Sequence, residues 1–298
     1  MSVAGPQSVE AKPPVRHQWA AASLAWWLLR LTRLSVLLTL NVGRRAWAFR
    51  HGAHAFRWTS HDGVPLDGLY LPASPGRPPR CAIIMAHGYI ETKENHLGRA
   101  WAFAQAGHNV ILFDQRGHGR SGGGWTTFGV RERHDVAALI DYAQAQGWAG
   151  DKVLTFGYSL GAATVLQHAA IDSRVARVVA LAPFVNMREA VRSYRRLYAP
   201  FTDEAWVLAG FEEAARQAGF TVADAATLPA VQRLQVPVLI VVGGADRNLS
   251  AREHSRVLAT ANAQGICRLV EVPHANHFSI RQRHWPGLEE ELLKFLDV

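Results

Sequence analysis

Cysteine is scarce in this sequence, which has only Cys81 and Cys267 among its 298 residues. Two thiols cannot form a disulfide framework, and their spacing matches no cysteine-based metal motif. Both lie in apolar, strand-like runs, so we expect them to be buried in the core rather than to act as ligands.

The sequence also lacks internal repeats, low-complexity stretches and the GxxxxGK[ST] phosphate loop. Residues 114–122 are rich in glycine, but they do not open a helix with a dinucleotide-binding fingerprint. We interpret them as a structural loop near a pocket, in which Asp114 and Arg116 order the backbone. With 49% hydrophobic and 19% charged residues, the composition excludes disordered and fibrous proteins.

The chain has little net charge outside the amino terminus. The chain has 32 Lys and Arg residues against 24 Asp and Glu, a net charge of +8. Residues 1–50 contain seven basic residues and one acidic residue, so they carry +6 and the rest of the chain carries only +2. A nearly neutral body predicts no nucleic-acid partner, whereas the basic amino terminus suits an acidic membrane surface.

The amino terminus combines a polar tail with an apolar stretch. Residues 1–18 contain three prolines and predict a disordered tail, and residues 19–42 are apolar and free of proline. A helix of that length could span a bilayer, but Arg30 and Arg33 near its middle, at roughly 2.5–3.5 kcal/mol each, make spanning marginal. An interfacial helix tolerates this arginine stripe. We therefore predict a membrane-associated protein, with a cleaved signal peptide or a helix docked on a cytoplasmic protein as alternatives.

From residue 56 onward, strand and helix patterns alternate. The runs at 56–60 and 66–71 predict a hairpin. Buried, apolar strands are predicted at 81–86, 109–113, 152–156, 175–181, 236–242 and 266–272. Helices are predicted at about 94–106, 131–146, 160–171, 251–263 and 287–297. This alternation predicts the α/β class, with about eight strands in a mostly parallel sheet. The first two strands flank the turn His61-Asp62-Gly63 and should be antiparallel.

About fifty residues without a strand pattern interrupt this alternation between Pro183 and Pro237. Residues 188–197 and 203–218 have helical character within it. One interpretation is a small helical lid at about 185–235 over the carboxyl edge of the sheet, and the other is a pair of ordinary connecting helices. The domain plan is therefore a basic tail and apolar helix at 1–50, followed by one domain at 51–298.

The most specific local motif is Gly157-Tyr158-Ser159-Leu160-Gly161, which follows a predicted strand and precedes a predicted helix. This context is typical of a nucleophile elbow, in which the tight turn lifts the serine hydroxyl out of the sheet edge. A serine hydroxyl is a weak nucleophile at neutral pH and needs an adjacent base. We predict that Ser159 is a catalytic nucleophile, and a serine in a structural turn is the alternative.

Two loops after later strands supply candidates for the base and the acid. His277 lies in a loop directly after the last strand, and His274 in the same loop is its competitor. His168 lies within a helix, while His254 and His284 are predicted at the surface. Asp246 follows the strand at 236–242, where open α/β sheets place active groups. It would hold the tautomer of His277, or else merely cap the next helix.

An oxyanion hole needs two N–H donors. The residue after the nucleophile supplies the Leu160 amide, and the loop after the third strand, His87-Gly88-Tyr89, supplies the Tyr89 amide. In this interpretation His87 is a structural hydrogen-bonding residue rather than a base.

These motifs together resemble the α/β-hydrolase serine esterases, and in particular the Bem46-like and serine-aminopeptidase-like (S33) hydrolases. The shared residues are His87-Gly88-Tyr89, Asp114-x-Arg116-Gly117-x-Gly119-x-Ser121, Gly157-x-Ser159-x-Gly161, Gly243-x-x-Asp246 and Asn276-His277. The resemblance runs from about residue 56 to the end. It implies an eight-stranded sheet, a triad of Ser159, Asp246 and His277, and hydrolysis of an ester, thioester or amide.

The predicted function is a serine hydrolase that cleaves carboxylic esters through an acyl-enzyme intermediate. Such chemistry needs no metal and no cofactor. A lipid-like or other small ester is the expected substrate, and residues 19–42 are the expected contact with a membrane surface. Two alternatives stay open: a peptidase or amidase on the same triad, and a non-catalytic binding protein with this fold.

Overall fold

The computed structural model describes residues 41–75, 78–246, 251–282, 285 and 287–297. The predicted tail and nearly all of the apolar segment at 19–42 therefore lie outside the described residues, as does His284. Among the residues that are described, no helix combines the length and the apolar character needed to cross a membrane.

Eight strands form one sheet in the order β1-β2-β4-β3-β5-β6-β7-β8. Their bounds are β1 (His54–Thr59), β2 (Pro65–Leu71), β3 (Ala82–Ala86), β4 (Asn109–Phe113), β5 (Val153–Tyr158), β6 (Val175–Leu181), β7 (Val238–Gly243) and β8 (Cys267–Val272). β2 runs antiparallel to both β1 and β4, and the other neighbouring strands are parallel. The predicted α/β class, the number of strands and the antiparallel start are therefore confirmed.

Helices connect these strands and cover both faces of the sheet. In chain order they are α1 (Val42–Arg50), α2 (Leu97–Gln105), α3 (Glu132–Ala145), α4 (Leu160–Ala169), α5 (Met187–Tyr198), α6 (Glu204–Gln217), α7 (Leu228–Arg233), α8 (Ala251–Ala261) and α9 (Leu288–Leu296), with a 3₁₀ turn at Lys93–His96 before α2. Every residue of β3, β4, β5 and β7 is buried, because these strands have helices on both faces.

Two apolar layers fill the space between the sheet and its helices. One layer joins α2 and α9 to the sheet, and the other joins α3 and α4 to its opposite face. A third apolar cluster lies beyond the sheet and packs α5 and α6 over Phe128, Leu160 and Ala163. The segment between Pro183 and Pro237 thus folds against the start of α4, next to Ser159.

The short helix α1 packs on the body of the fold. Ala48 is buried in the first apolar layer, and the Trp47 ring meets the Trp101 ring edge-on with 5.6 Å between centroids. Arg45 forms ion pairs with Glu94 at 3.4 Å and with Asp67 at 3.6 Å. Helix α1 is therefore held by an aromatic contact with α2 and by ion pairs with β2 and with the 3₁₀ turn.

A buried charge cluster connects α1 to the sheet. The ammonium group of Lys93 is fully buried and lies 2.7 Å from an Asp67 oxygen and 2.5 Å from an Asp114 oxygen. Burial alone would lower the pKa of Lys93, but the carboxylates of Asp114, Glu94 and Asp67 outweigh it and raise that pKa. The cluster therefore depends on the positive charge of Lys93.

Two expectations about individual residues are wrong. Cys81 and Cys267 are only partly buried, because Cys81 precedes β3 and Cys267 begins the outermost strand β8. His254 is 7% exposed rather than lying at the surface, since it is on the inner side of α8. Burial lowers the pKa of His254.

Candidate active site

Ser159 occupies the sharp turn between β5 and α4. Its φ of +52° and ψ of −111° lie outside the regions that ordinary residues adopt. The Ser159 N–H donates to the Leu181 carbonyl at 2.8 Å, which anchors the turn to the neighbouring strand. A strained turn of this kind is typical of residues held for function.

The glycines on either side of Ser159 are required by close packing. A Cβ on Gly157 would lie 2.2 Å from the Gly161 carbonyl oxygen, and a Cβ on Gly161 would lie 2.2 Å from that of Ala86. No side chain can occupy either space. Glycine is therefore required at both positions of the GxSxG motif, because α4 packs directly against β5 and β3.

Three of the residues predicted from the sequence meet at the carboxyl edge of the sheet. His277 Nε2 lies 3.1 Å from Ser159 Oγ, and His277 Nδ1 lies 2.8 Å from Asp246 Oδ2. All three residues are buried, with between 2% and 6% of their surface exposed. Both contacts are within hydrogen-bonding distance, so an unbroken path joins the carboxylate to the hydroxyl.

The loops that carry Asp246 and His277 are bonded to one another through their backbones. The Gly244 N–H donates to the Val272 carbonyl at 2.8 Å, and the Ala245 N–H donates to the Ala275 carbonyl at 2.9 Å. The Asp246 N–H closes its own turn on the Gly243 carbonyl at 3.0 Å. The separation between the carboxylate and the imidazole is therefore set by fixed backbone contacts.

Tyr158 joins the nucleophile turn to the histidine loop, a role that sequence reasoning missed. Its hydroxyl donates to the His277 carbonyl oxygen at 2.8 Å, and the ring centroids of Tyr158 and His277 are 5.4 Å apart. The only sequence signal was the position of Tyr158 directly before Ser159. Its partner lies 119 residues away along the chain.

We expect Tyr158→Phe to lower kcat for hydrolysis about tenfold while KM stays nearly constant, because small misplacements of a catalytic group slow the reaction steeply. Steady-state kinetics would measure this split. Tyr70→Phe is the matched control, since it removes a hydroxyl that donates to Asn109 at 3.1 Å, far along the chain from Ser159. A Tyr158→Phe protein that loses thermal stability but keeps its kcat would assign Tyr158 a purely structural role.

The two predicted oxyanion donors belong to two different segments, the start of α4 and the loop after β3. Leu160 is the first residue of α4, so its N–H has no partner within the helix and lies at the positive end of the helix dipole. Tyr89 follows His87 and Gly88 after β3, and Tyr89 also contacts the rings of Phe128 and Tyr194. Tyr194 also lines the cavity at Ser159, so the Tyr89 ring lies close to that cavity.

His87 fixes the loop that carries Tyr89. Its Nδ1 lies 2.7 Å from the Gly88 carbonyl oxygen, and its Nε2 accepts from the Gln115 N–H at 3.0 Å. This pair of contacts is compatible with a neutral ring that carries its proton on Nδ1. Burial lowers the pKa of His87 to about 3, so the ring stays neutral at physiological pH. His87 therefore acts as the structural hydrogen-bonding residue that was predicted.

Helix α5 covers Ser159. A cavity of about 10 Å³, close to the volume that holds one water molecule, adjoins the serine. Its walls comprise Ser159, Ala182, Pro183, Phe184, Ala190, Ser193, Tyr194, Ala251 and His277. None of these side chains is a carboxylate, a guanidinium or an ammonium group. The wall is thus small, largely apolar and uncharged.

The other candidate residues do not join this group. His274 is exposed, and His168 is fully buried with its Nδ1 2.8 Å from the Arg133 carbonyl oxygen. Asp114 accepts from the backbone N–H groups of Lys93 and Arg120, each at 2.9 Å, as expected of a residue that orders a loop. Arg116 instead pairs with two carboxylates, Asp62 at 2.8 Å and Asp135 at 2.5 Å.

Within the described residues, one group of potential metal ligands lies close together: His61, Asp62 and Asp135. The Arg116 guanidinium already pairs with both of its carboxylates. This arrangement lowers the pKa of Asp62 to about 2, chiefly through its hydrogen bond from Arg116. The group is therefore an ion-pair cluster, in which a guanidinium holds the place that a metal ion would take.

Comparison with known proteins identifies a matching family model and several relatives. The family model for the serine aminopeptidases of the S33 type matches residues 77–226, half of the chain, a range that includes Ser159 but neither Asp246 nor His277. The uncharacterised protein YqkD of Bacillus subtilis is 26% identical over 191 residues, or 63% of this chain and 61% of YqkD. The polyketide transferase af380 of Aspergillus fumigatus is 33% identical over 137 residues, or 42% of this chain and 43% of af380.

The chain thus spans about two fifths to three fifths of the length of these two relatives. Among solved structures, the Pyrococcus furiosus esterase Pf2001 superposes with a TM-score of 0.66 at 20% identity, covering 84% of this chain and 92% of the esterase. Taken with the sheet order and the strained serine turn, the family match shows that this chain belongs to the serine aminopeptidase S33 family of α/β-hydrolases.

Proposed function

We propose that the protein is a serine hydrolase that cleaves carboxylic esters through an acyl-enzyme intermediate. The observation that carries the proposal is the hydrogen-bonded series from Asp246 through His277 to Ser159, with distances of 2.8 Å and 3.1 Å. A base within hydrogen-bonding reach of the hydroxyl, oriented in turn by a buried carboxylate, is what activates a serine nucleophile.

In the proposed reaction, His277 Nε2 takes the proton from Ser159 Oγ as that oxygen bonds to the ester carbonyl carbon. Asp246 accepts from His277 Nδ1–H and stabilises the imidazolium that forms. The amides of Leu160 and Tyr89 donate to the developing oxyanion. The imidazolium then protonates the alkoxide oxygen that leaves as the alcohol. A water molecule, deprotonated by His277, attacks the acyl group, and His277 returns that proton to Ser159 Oγ as the acid is released.

The character of the wall around Ser159 favours an ester with an uncharged acyl group. An aminopeptidase must bind the ammonium group of its substrate, and a buried charge needs an opposite charge beside it. Among the described residues, the wall around Ser159 contains no carboxylate that could serve. The esterase Pf2001 shares the fold, and we therefore place ester cleavage ahead of peptide cleavage on the same triad.

A fluorophosphonate probe tests the nucleophile in the folded full-length protein. We expect the probe to label the protein at Ser159, to leave Ser159→Ala unlabelled, and to label the matched control Ser193→Ala, which lacks the other serine of the same wall. Folded protein that stays unlabelled would favour the non-catalytic alternative. Faster turnover of an anilide than of the p-nitrophenyl ester of the same acid would favour the amidase alternative.

A further inference from the structure

The described fold begins beside the candidate active site. The side chain of Asn41 donates to Thr92 Oγ1 at 2.7 Å, and Thr92 follows the oxyanion loop residue Tyr89 by three positions. The first turn of α1 lies close to the same segment, since Arg45 pairs with Glu94 at 3.4 Å. The described part of the chain therefore begins at the carboxyl edge of the sheet.

The loop that carries His277 reaches the same place. Glu91 accepts from the Gly88 N–H at 2.9 Å through Oε2 and forms an ion pair with Arg281 through Oε1. Arg281 lies four residues after His277. Burial and the charge of Arg44 lower the pKa of Arg281, which agrees with a position of Arg44 close to this loop. The start of α1, the oxyanion loop and the histidine loop thus form one region of the surface.

Exposed apolar and basic side chains occur together in this region. Val42 is 76% exposed and Phe278, the residue after His277, is 49% exposed. Arg44 is exposed and Arg281 is half-buried. We call Val42, Arg44, Phe278 and Arg281 the amino-terminal rim. Apolar and aromatic side chains that reach the acyl boundary, with arginines that meet anionic headgroups, form the composition of an interfacial membrane surface.

We propose that the amino-terminal rim lies against an anionic phospholipid surface, so that the loop carrying His277 faces the lipid. The apolar residues 19–40 end one residue before the fold begins at Asn41. Consecutive Cα atoms are about 3.8 Å apart, so lipid contact by that segment holds the rim at the same surface. This inference rests on the proposed function for its substrate class, a lipid-like ester taken from the bilayer.

An environment-sensitive fluorophore can report which face meets the lipid. The full chain, with Ser159→Ala to prevent hydrolysis and with Cys81→Ala and Cys267→Ala, would be labelled with NBD at Phe278→Cys. The matched control is Ile171→Cys, because Ile171 is 48% exposed and follows α4, which leads away from Ser159 toward the opposite edge of the sheet. Both proteins would be mixed with phosphatidylcholine vesicles containing phosphatidylglycerol.

With these vesicles, we expect the emission at position 278 to shift to shorter wavelength and to be quenched by nitroxide-labelled lipid. Position 171 should keep its aqueous spectrum. A shift at neither position, at both positions or at position 171 alone would overturn the proposal. Because the measurement needs no catalysis, its failure is distinct from a failure of Ser159 to react with the fluorophosphonate.

The charge of the rim is tested separately by vesicle sedimentation. We expect Arg44→Glu to weaken binding to anionic vesicles about tenfold, since each basic residue near such a surface contributes measurably. The control Arg233→Glu changes the net charge equally at an exposed residue shortly before β7, at the opposite edge of the sheet, and should have little effect. Equal weakening by both variants, or equal binding to vesicles without phosphatidylglycerol, would overturn the proposal.

Discussion

Replacing Asp246 by Asn is expected to lower kcat for ester hydrolysis by about 10⁴-fold at neutral pH. The amide nitrogen of asparagine can donate to His277 Nδ1, which favours the tautomer with the proton on Nε2. That tautomer cannot accept the Ser159 proton across the 3.1 Å contact. KM should change little, because Asp246 is 2% exposed and is not among the residues that line the cavity at Ser159. Steady-state kinetics on a short p-nitrophenyl ester would measure the effect.

Asp151→Asn is the matched control, since it removes one carboxylate from an exposed position at the opposite edge of the sheet, before β5. It should keep the activity of the unchanged protein. An Asp246→Asn protein that remains folded and loses less than about tenfold in kcat would show that another group orients His277. The assigned role of Asp246 would then be wrong.

Replacing Lys93 by Met is expected to lower the free energy of unfolding by about 3–5 kcal/mol. Methionine fills a similar volume but leaves the carboxylates of Asp67 and Asp114 without the ammonium group that lies 2.7 Å and 2.5 Å from them. A buried carboxylate that loses its partner retains the full cost of its desolvation. Urea unfolding followed by circular dichroism would measure the change.

Lys152→Met is the matched control, because Lys152 is exposed and its ammonium group donates only to the Ser173 carbonyl at 2.7 Å. Its effect should stay within about 0.5 kcal/mol. Adding Asp114→Asn to Lys93→Met should recover part of the lost stability, because it removes one of the two carboxylates that lose the ammonium group. A double variant no more stable than Lys93→Met would show that lost packing, and not charge, causes the destabilisation.

Local sequence patterns, such as apolar runs and short motifs, predicted most of the fold. Strands β4 and β6 lie at the predicted residues, and the other strands differ by two residues or fewer at each end. Buried parallel strands produce continuous apolar runs, which makes them easy to locate. The GxSxG motif was equally informative, because both of its glycines are fixed by contacts between β3, β5 and α4.

Contacts between distant residues could not be predicted in the same way. Nothing in the sequence around Lys93 marks it as a buried residue, yet it is fully buried between Asp67 and Asp114. His254 was placed at the surface because the residues around it are polar, whereas the face of α8 that carries it turns inward. In both cases the burial of the side chain depends on how the segment that carries it packs on the rest of the fold. That packing was not predicted from the segment alone.

The anchoring of α1 decides where the catalytic body can be separated from the apolar segment that precedes it. A shortened chain that starts at residue 51 would lose Arg45 from the Lys93 cluster and would uncover the apolar surface beneath Ala48 and the Trp101 ring that Trp47 meets. A chain that starts at Asn41 would retain all of these contacts while omitting residues 19–40. The apolar segment can therefore be removed without loss of these contacts if the chain starts at Asn41. A start at residue 51 also removes α1, which is part of the folded body.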